Sequence, residues 1–305
     1  MGAAARSSRY RSRYLWGIAC CCLATLGWSL SGLFVRWVPE LDGWGVNGYR
    51  APATAICLLI YLALRYRGDL KRHLWPEQPQ ALFVVGTFFG VGSTLYVYAL
   101  TMGTVASVSV LGATSPFFAA MLAWLVMRER ASAVSLAATV IALVGVAVVV
   151  QAEMSALATG FAAAVISLGY AFCFAGQTVW LRRYRDLEMI PGIALGGLMV
   201  FAFVVIFVGL PSLPLWQVGL LALMGLVQLA LPLILFAEGA KHVPVVPAML
   251  IALADVVLNP FWVLLVHGEQ PPSGTVAGGV LILSAIIGAT LYESRRQRVA
   301  AQQEV

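Results

Sequence analysis

Apolar runs alternate along this chain with short breaks carrying arginine, proline or acidic residues. A helix rises about 1.5 Å per residue, so crossing ~30 Å of hydrocarbon takes about 20 residues. On that measure the pattern predicts ten membrane-spanning helices, at residues 15–37, 46–65, 79–100, 104–126, 132–150, 158–181, 190–210, 215–237, 244–266 and 272–292. The connections are too short for a second domain. The first run, Leu15 to Trp37, follows Arg6, Arg9, Arg11 and Arg13 like a signal peptide's charged front. It is longer than an h-region and lacks a small-residue cleavage site, so it reads as a retained helix. The expected fold class is an all-α membrane protein.

Composition agrees. The 305 residues are 61% hydrophobic and 10% charged, whereas soluble domains carry about 25% charge. The net charge of +6 would suggest nucleic acid only if it lined one soluble face. It sits instead in clusters between apolar runs, so the expected surroundings are lipid, with no nucleic-acid partner. If the N-terminus is cytoplasmic, alternate connections collect 17 of the 19 Lys and Arg residues on the inner side. Arg36 and Arg50 are left near the outer side. That bias sets orientation, with both termini (1–14 and 293–305) as basic cytoplasmic tails and the inner membrane as the location. The five cysteines lie inside apolar runs without ligand spacing and read as small packing residues.

The two halves resemble each other. Residues 114–132, TSPFFAAMLAWLVMRERAS, lie over residues 254–272, ADVVLNPFWVLLVHGEQPP, at an offset of 140 that pairs Glu129 with Glu269. Residues 17–28 likewise match 160–170, pairing Trp28 with Tyr170. The repeats are expected at 15–150 and 158–292. Five helices per repeat is an odd number, so the second copy enters the membrane from the opposite side, giving a 5+5 inverted repeat. Alternating-access carriers have this architecture, with the substrate site near mid-membrane.

The ten-helix pattern, the duplicated unit, Arg50 early in the second helix and the spacing from Pro116 to Glu129 resemble the drug/metabolite transporter superfamily, in its EamA-type exporter branch. The second half departs from the pattern, with Val256 at the proline's equivalent and Pro260 four residues later. The overall likeness is to bacterial exporters of amino acids, aromatic ones in particular. The resemblance implies export; composition does not set direction.

Asp255 stands eleven residues from either end of the run 244–266, hence ~16 Å from each surface, too deep for so short a side chain to reach water. Two readings stay open: a structural acid bonded to a neighbouring helix, or a group beside a water-filled pathway that binds a substrate ammonium or carries a coupling proton. Pro116, Pro232 and Pro260 free the carbonyls of Gly112, Gln228 and Val256. In lipid such helix breaks need a protein interior or a wet cavity, unless they are simple kinks.

Aromatic and polar side chains recur at helical spacing in Tyr170, Phe174, Gln177 and Leu181, in Phe89, Ser93 and Tyr96, and in Thr25, Trp28 and Gly32. These can be packing stripes, but Trp28 and Tyr170 lie away from the interfacial belts. Buried Tyr and Trp want polar partners. The expected cavity lining is therefore Trp28, Tyr96, Tyr170, Gln177, Gln228 and Asp255.

At the ends, Arg36 is expected to reach lipid headgroups. Arg50 is expected to pair with Glu40 or Asp42, or to serve an external gate. Glu238, Lys241 and His242 form either a solvated helix-end group or an inner gate. Gly86, Gly90 and Thr94, and Gly192 and Gly196, form small-residue ridges suited to close packing. No catalytic motif, metal-ligand set or cofactor loop accompanies them, so no cofactor is expected and an enzyme is not.

With no nucleotide-binding segment in view, transport would be passive or driven by an ion gradient, protons being one candidate. The expected function is secondary export of small metabolites, amino acids with aromatic or large apolar side chains above others, by alternating access. The rivals are a broad drug or sugar-derivative exporter and a passive channel.

Overall fold

The computed structural model describes residues 2–74, 78–128, 133–184, 188, 190–239, 242–243 and 251–303. Glu129, Lys241 and the start of the run 244–266 lie outside them. The described residues are helical or irregular, without strands. In order the helices are α1 (Gly2–Trp28), α2 (Ser31–Arg36), α3 (Gly43–Arg65), α4 (Leu70–Leu74), α5 (Pro79–Met102), α6 (Val105–Gly112), α7 (Ser115–Met127), α8 (Ala133–Ala156), α9 (Gly160–Arg183) and α10 (Ile190–Phe203). After them come α11 (Leu215–Leu223), α12 (Leu231–Gly239), α13 (Asp255–His267) and α14 (Ser273–Gln303). Wider π turns continue α10 over Val204–Val208 and join α11 to α12 over Met224–Ala230.

The pattern predicts ten spans. Among the described residues seven helices are long and apolar enough to cross a membrane: Arg13–Arg36, Pro79–Met102, Val105–Val126, Ala137–Ala156, Gly160–Trp180, Ile190–Val208 and Leu215–Gly239. Asp255–His267 and Ser273–Ala289 are shorter apolar stretches, and α3 carries Asn47 and Arg50 within its 23 residues. Both basic tails continue the terminal helices, Gly2 onward in α1 and to Gln303 in α14. Their Ala, Arg and Gln content favours helix once a helix exists to extend. Leu23, Ile56, Leu143, Ile206 and Phe207 face outward, Phe207 being 73% exposed. Such an apolar exterior fits lipid rather than water.

Among the described residues three helical runs are interrupted within their length. The first turns at Ser29–Leu30, the fourth at Ala113–Thr114 and the ninth at Leu253–Ala254. The last two are separated by 140 residues, the offset expected for the repeat. Pro116 falls in the first turn of α7, where a proline's missing N–H would have had no intrahelical partner anyway. Pro260 does not break its helix. It lies inside α13, and the interruption comes one to two turns upstream, where Val256 N–H bonds the Leu253 carbonyl in a tight turn. Pro232 also leaves the run continuous; the chain before it widens into π turns, which re-house backbone groups that a proline strands.

The helices pack in pairs: α5 with α9, α1 with α12, α3 with α10, α8 with α14, and α6 with α13. The small-residue ridges meet face to face between α5 and α10. A methyl group on Gly86 would stand 2.8 Å from the Gly192 carbonyl oxygen, and one on Gly90 would stand 3.0 Å from that of Gly196. Only glycine allows these backbones so close.

Candidate functional site

The middle of the bundle is polar. Asp255 begins α13 directly after the Leu253–Ala254 turn, in the helix's first turn. The dipole of a half-helix favours negative charge there. Its Oδ1 is buried and has no hydrogen-bond partner. One turn on, Asn259 is fully buried and shared among four segments. Its Nδ2 donates to Ser31 Oγ at 3.0 Å, Ser109 Oγ at 3.1 Å and Tyr96 OH at 3.1 Å. Its Oδ1 accepts the Gly32 N–H at 3.0 Å. Two amide hydrogens serve three acceptors, so these bonds are partly shared. Ser31 Oγ and Tyr96 OH are themselves 2.5 Å apart. Asn259 therefore ties the restart of the first helix, α5 and α6 to α13.

The Tyr96 ring packs on Tyr170, with centroids 4.8 Å apart, and Tyr170 lies against Phe174 at 6.2 Å. Gly112, last residue of α6, makes room for the Tyr170 ring. Both tyrosines stand within electrostatic reach of Asp255 and of Arg50.

Arg50 departs from expectation. It pairs with neither Glu40 nor Asp42: Glu40 receives the Gln217 amide, and Asp42 caps α3 by accepting the Gly45 N–H at 2.8 Å. Arg50 lies about two turns inside α3 and is 1% exposed, so its side chain turns into the bundle. There Nη1 donates to Gln228 Oε1 at 3.1 Å, and Nη2 donates to the Ser93 hydroxyl and carbonyl. Gln228 comes from the π turns, whose Gly225 carbonyl also accepts the Thr54 hydroxyl at 3.1 Å.

Of the other residues singled out, Trp28 ends α1 and packs on Phe236 at 5.2 Å. Gln177 is buried two turns beyond Tyr170 along α9 and takes no part in the bonds just described. Thus Tyr96, Tyr170, Gln228 and Asp255 gather with Arg50, while Trp28 and Gln177 stand to the side. Asn259 is not among the lining residues expected from the sequence, although an Asn-Pro pair in an apolar run signals a group needing partners. Apart from Asp255 Oδ1 and Arg50 Nε, which have no partner, these polar groups are bonded to each other; two open hollows lie away from them, beside Leu64–Asp69 and beside Trp37 and Trp216.

A second polar cluster closes the end of the bundle where α5 passes to α6. Glu153, fully buried, accepts the Thr104 N–H at 2.6 Å, the Thr104 hydroxyl at 2.9 Å and the Ser107 hydroxyl at 2.5 Å. Ser107 in turn meets Thr275 Oγ1 at 2.9 Å. Glu269 accepts the Val105 N–H at 2.8 Å and pairs with Arg36 at 2.7 Å. Two carboxylates thus satisfy the orphan donors that begin α6. Arg36 is not turned to lipid. It donates to the Leu100 and Gly103 carbonyls at 2.6 and 2.8 Å as well, because the last carbonyls of α5 lack helical partners.

At the opposite end Glu238 bonds Tyr61 and Arg65 of α3, which couples α12 to α3. Arg183 donates to the Val126 carbonyl at 3.2 Å.

Comparison with known proteins bears on what this arrangement is for. The chain is 29% identical over 237 residues to the pseudopaline exporter CntI of Pseudomonas aeruginosa strain UCBPP-PA14, covering 75% of this chain and 80% of that protein. The same protein from P. aeruginosa strain PAO1 gives the same figures. A solved crystal structure, 17% identical, covers 93% of this chain and 99% of its own with a TM-score of 0.63, a likeness of fold alone. Residues 15–151 match the EamA-like transporter family. A multi-pass apolar bundle with a buried polar middle accords with that likeness to a transporter family, which covers the first half of the chain.

Proposed function

We propose that this protein is a secondary carrier of the inner membrane that exports amino acids with aromatic or large apolar side chains by alternating access. The observation that carries the reading is Asp255: a carboxylate at the start of a mid-membrane half-helix, with Oδ1 unpartnered, next to an aromatic pair suited to a bulky side chain. An ammonium would supply the missing donors, and a proton could ride on the same group.

A 5+5 inverted repeat underlies the mechanism. It is supported by packing that survives exchange of the halves: α5 on α9 corresponds to α12 on α1, and α3 on α10 and α8 on α14 correspond to themselves. The paired interruptions at Ala113–Thr114 and Leu253–Ala254 agree with it. Both termini would then be cytoplasmic, and the Glu153–Glu269 end would face outward. In this conformation that end is bonded shut, while Arg50 Nε and Asp255 Oδ1 in the middle are left without partners.

The relation to a pseudopaline exporter favours a second reading, in which the cargo is a metallophore. Purified protein in liposomes, assayed with tryptophan, threonine and a cationic dye with and without a pH gradient, tests the amino-acid reading. Saturable tryptophan flux with counterflow is expected. Flux that neither saturates nor shows counterflow would make it a channel, and dye flux without tryptophan flux would make it a drug exporter.

A further inference from the structure

Arg50, 1% exposed, is among the most fully buried large side chains of the described residues. A guanidinium stays charged and brings five N–H donors. Removing it from water costs several kcal/mol unless an anion and hydrogen bonds compensate. Here the compensation is incomplete. The ion pairs among the described residues are Arg36 with Glu269 and Arg65 with Glu238, and Arg50 is in neither. Its two terminal nitrogens reach only neutral acceptors, on Gln228 and Ser93. Its Nε is buried and bonded to nothing.

The surroundings are those of the transport site. Ser93 lies one turn from Tyr96 on α5, and Gln228 belongs to the π turns, so the guanidinium is held between helices of both halves. Tyr96 and Tyr170 feel both Arg50 and Asp255. Across one aromatic pair the protein thus keeps a cation lacking an anion and a carboxylate lacking a donor. Each is costly alone, and one ligand bearing both charges would satisfy both.

We infer that Arg50 is the acid-binding residue of the transport site, so that the cargo carries a carboxylate, held by the Arg50 guanidinium, as well as an amine for Asp255. This rests on the transport reading and narrows it: uncharged sugars and purely cationic drugs fall outside the cargo class, whereas an amino acid or a larger carboxylate-bearing amine falls within it. The role in binding is direct, because Nε is the donor left over.

The test is ligand binding by the purified full-length protein, followed through thermal stabilisation in a chloride-free buffer. The probes are tryptophan, tryptophanamide, tryptamine and indole-3-propionate, with sodium chloride as a separate arm. Wild type should bind tryptophan roughly tenfold or more tightly than its amide, as for a hydrogen bond to a charged group. Indole-3-propionate should bind measurably. In Arg50→Gln the preference for acid over amide should vanish while tryptamine binding persists, which also reports an intact fold. Arg50→Lys should restore part of it.

A wild type indifferent to the acid group, an Arg50→Gln protein that keeps the preference, or stabilisation by chloride alone would each overturn the inference. Acid preference without tryptophan flux in liposomes would retain Arg50's role while removing the amino-acid reading, so the two fail separately.

Discussion

The bundle holds two buried polar clusters that differ in how far they are satisfied. At the α5–α6 end, Glu153 receives three hydrogen bonds, and Glu269 is paired with Arg36 and a backbone N–H. In the middle, Asn259 is equally well bonded, yet Arg50 Nε and Asp255 Oδ1 have no partner. Burial costs both clusters the same desolvation. A saturated group recovers that cost within the fold, and an orphaned one recovers it only from something that arrives. The difference separates scaffold from site better than burial or residue type does.

That contrast can be broken. Glu153→Ala should have the largest effect on stability, stranding the Thr104 backbone N–H and taking the shared acceptor from the Thr104 and Ser107 hydroxyls; a loss of about 3–5 kcal/mol is expected, read from unfolding in detergent. A loss below ~1 kcal/mol would remove the distinction. Asn259→Ala should come next, at about 2–3 kcal/mol, chiefly from the stranded Gly32 N–H, and the same unfolding measurement ranks it against Glu153→Ala. Glu238→Gln weakens a pair whose side chains are 35% exposed, so a change under ~1 kcal/mol is expected. In the same assay a change as large as that of Glu153→Ala would show this end to be as tightly locked as the other.

Asp255→Asn should be smallest, within about 0.5 kcal/mol in either direction, since it removes a buried charge that no fold contact rewards. Its tryptophan flux in liposomes should nevertheless fall roughly tenfold or more. Normal flux would exclude Asp255 from transport, and a large loss of stability would return it to the scaffold.

Much of the fold is legible in the sequence because hydrophobicity acts locally. The apolar runs appear as helices, and the glycine ridges of α5 and α10 can be read from spacing alone. Less legible is where helices break. A proline marks a lost bond, but the chain relaxes where neighbours accept it, at Leu253–Ala254 and not at Pro260, and as π turns before Pro232. Arg50 shows the same limit at the site. Counting from the membrane surface puts it near Glu40 and Asp42, yet a side chain that long goes where acceptors are, and those are supplied by residues 43 and 178 positions away. Glu153 gave no signal either, since a glutamate at a helix end ordinarily faces water.

The sequence by itself determined that this chain is helical, lies in lipid and carries a carboxylate deep in an apolar run, because those follow from composition and period. Only the tertiary structure decided which buried charges are answered and which are left open. Hydrogen-bond partners 65 to 228 residues apart are chosen by how helices cross, and no local pattern carries that geometry.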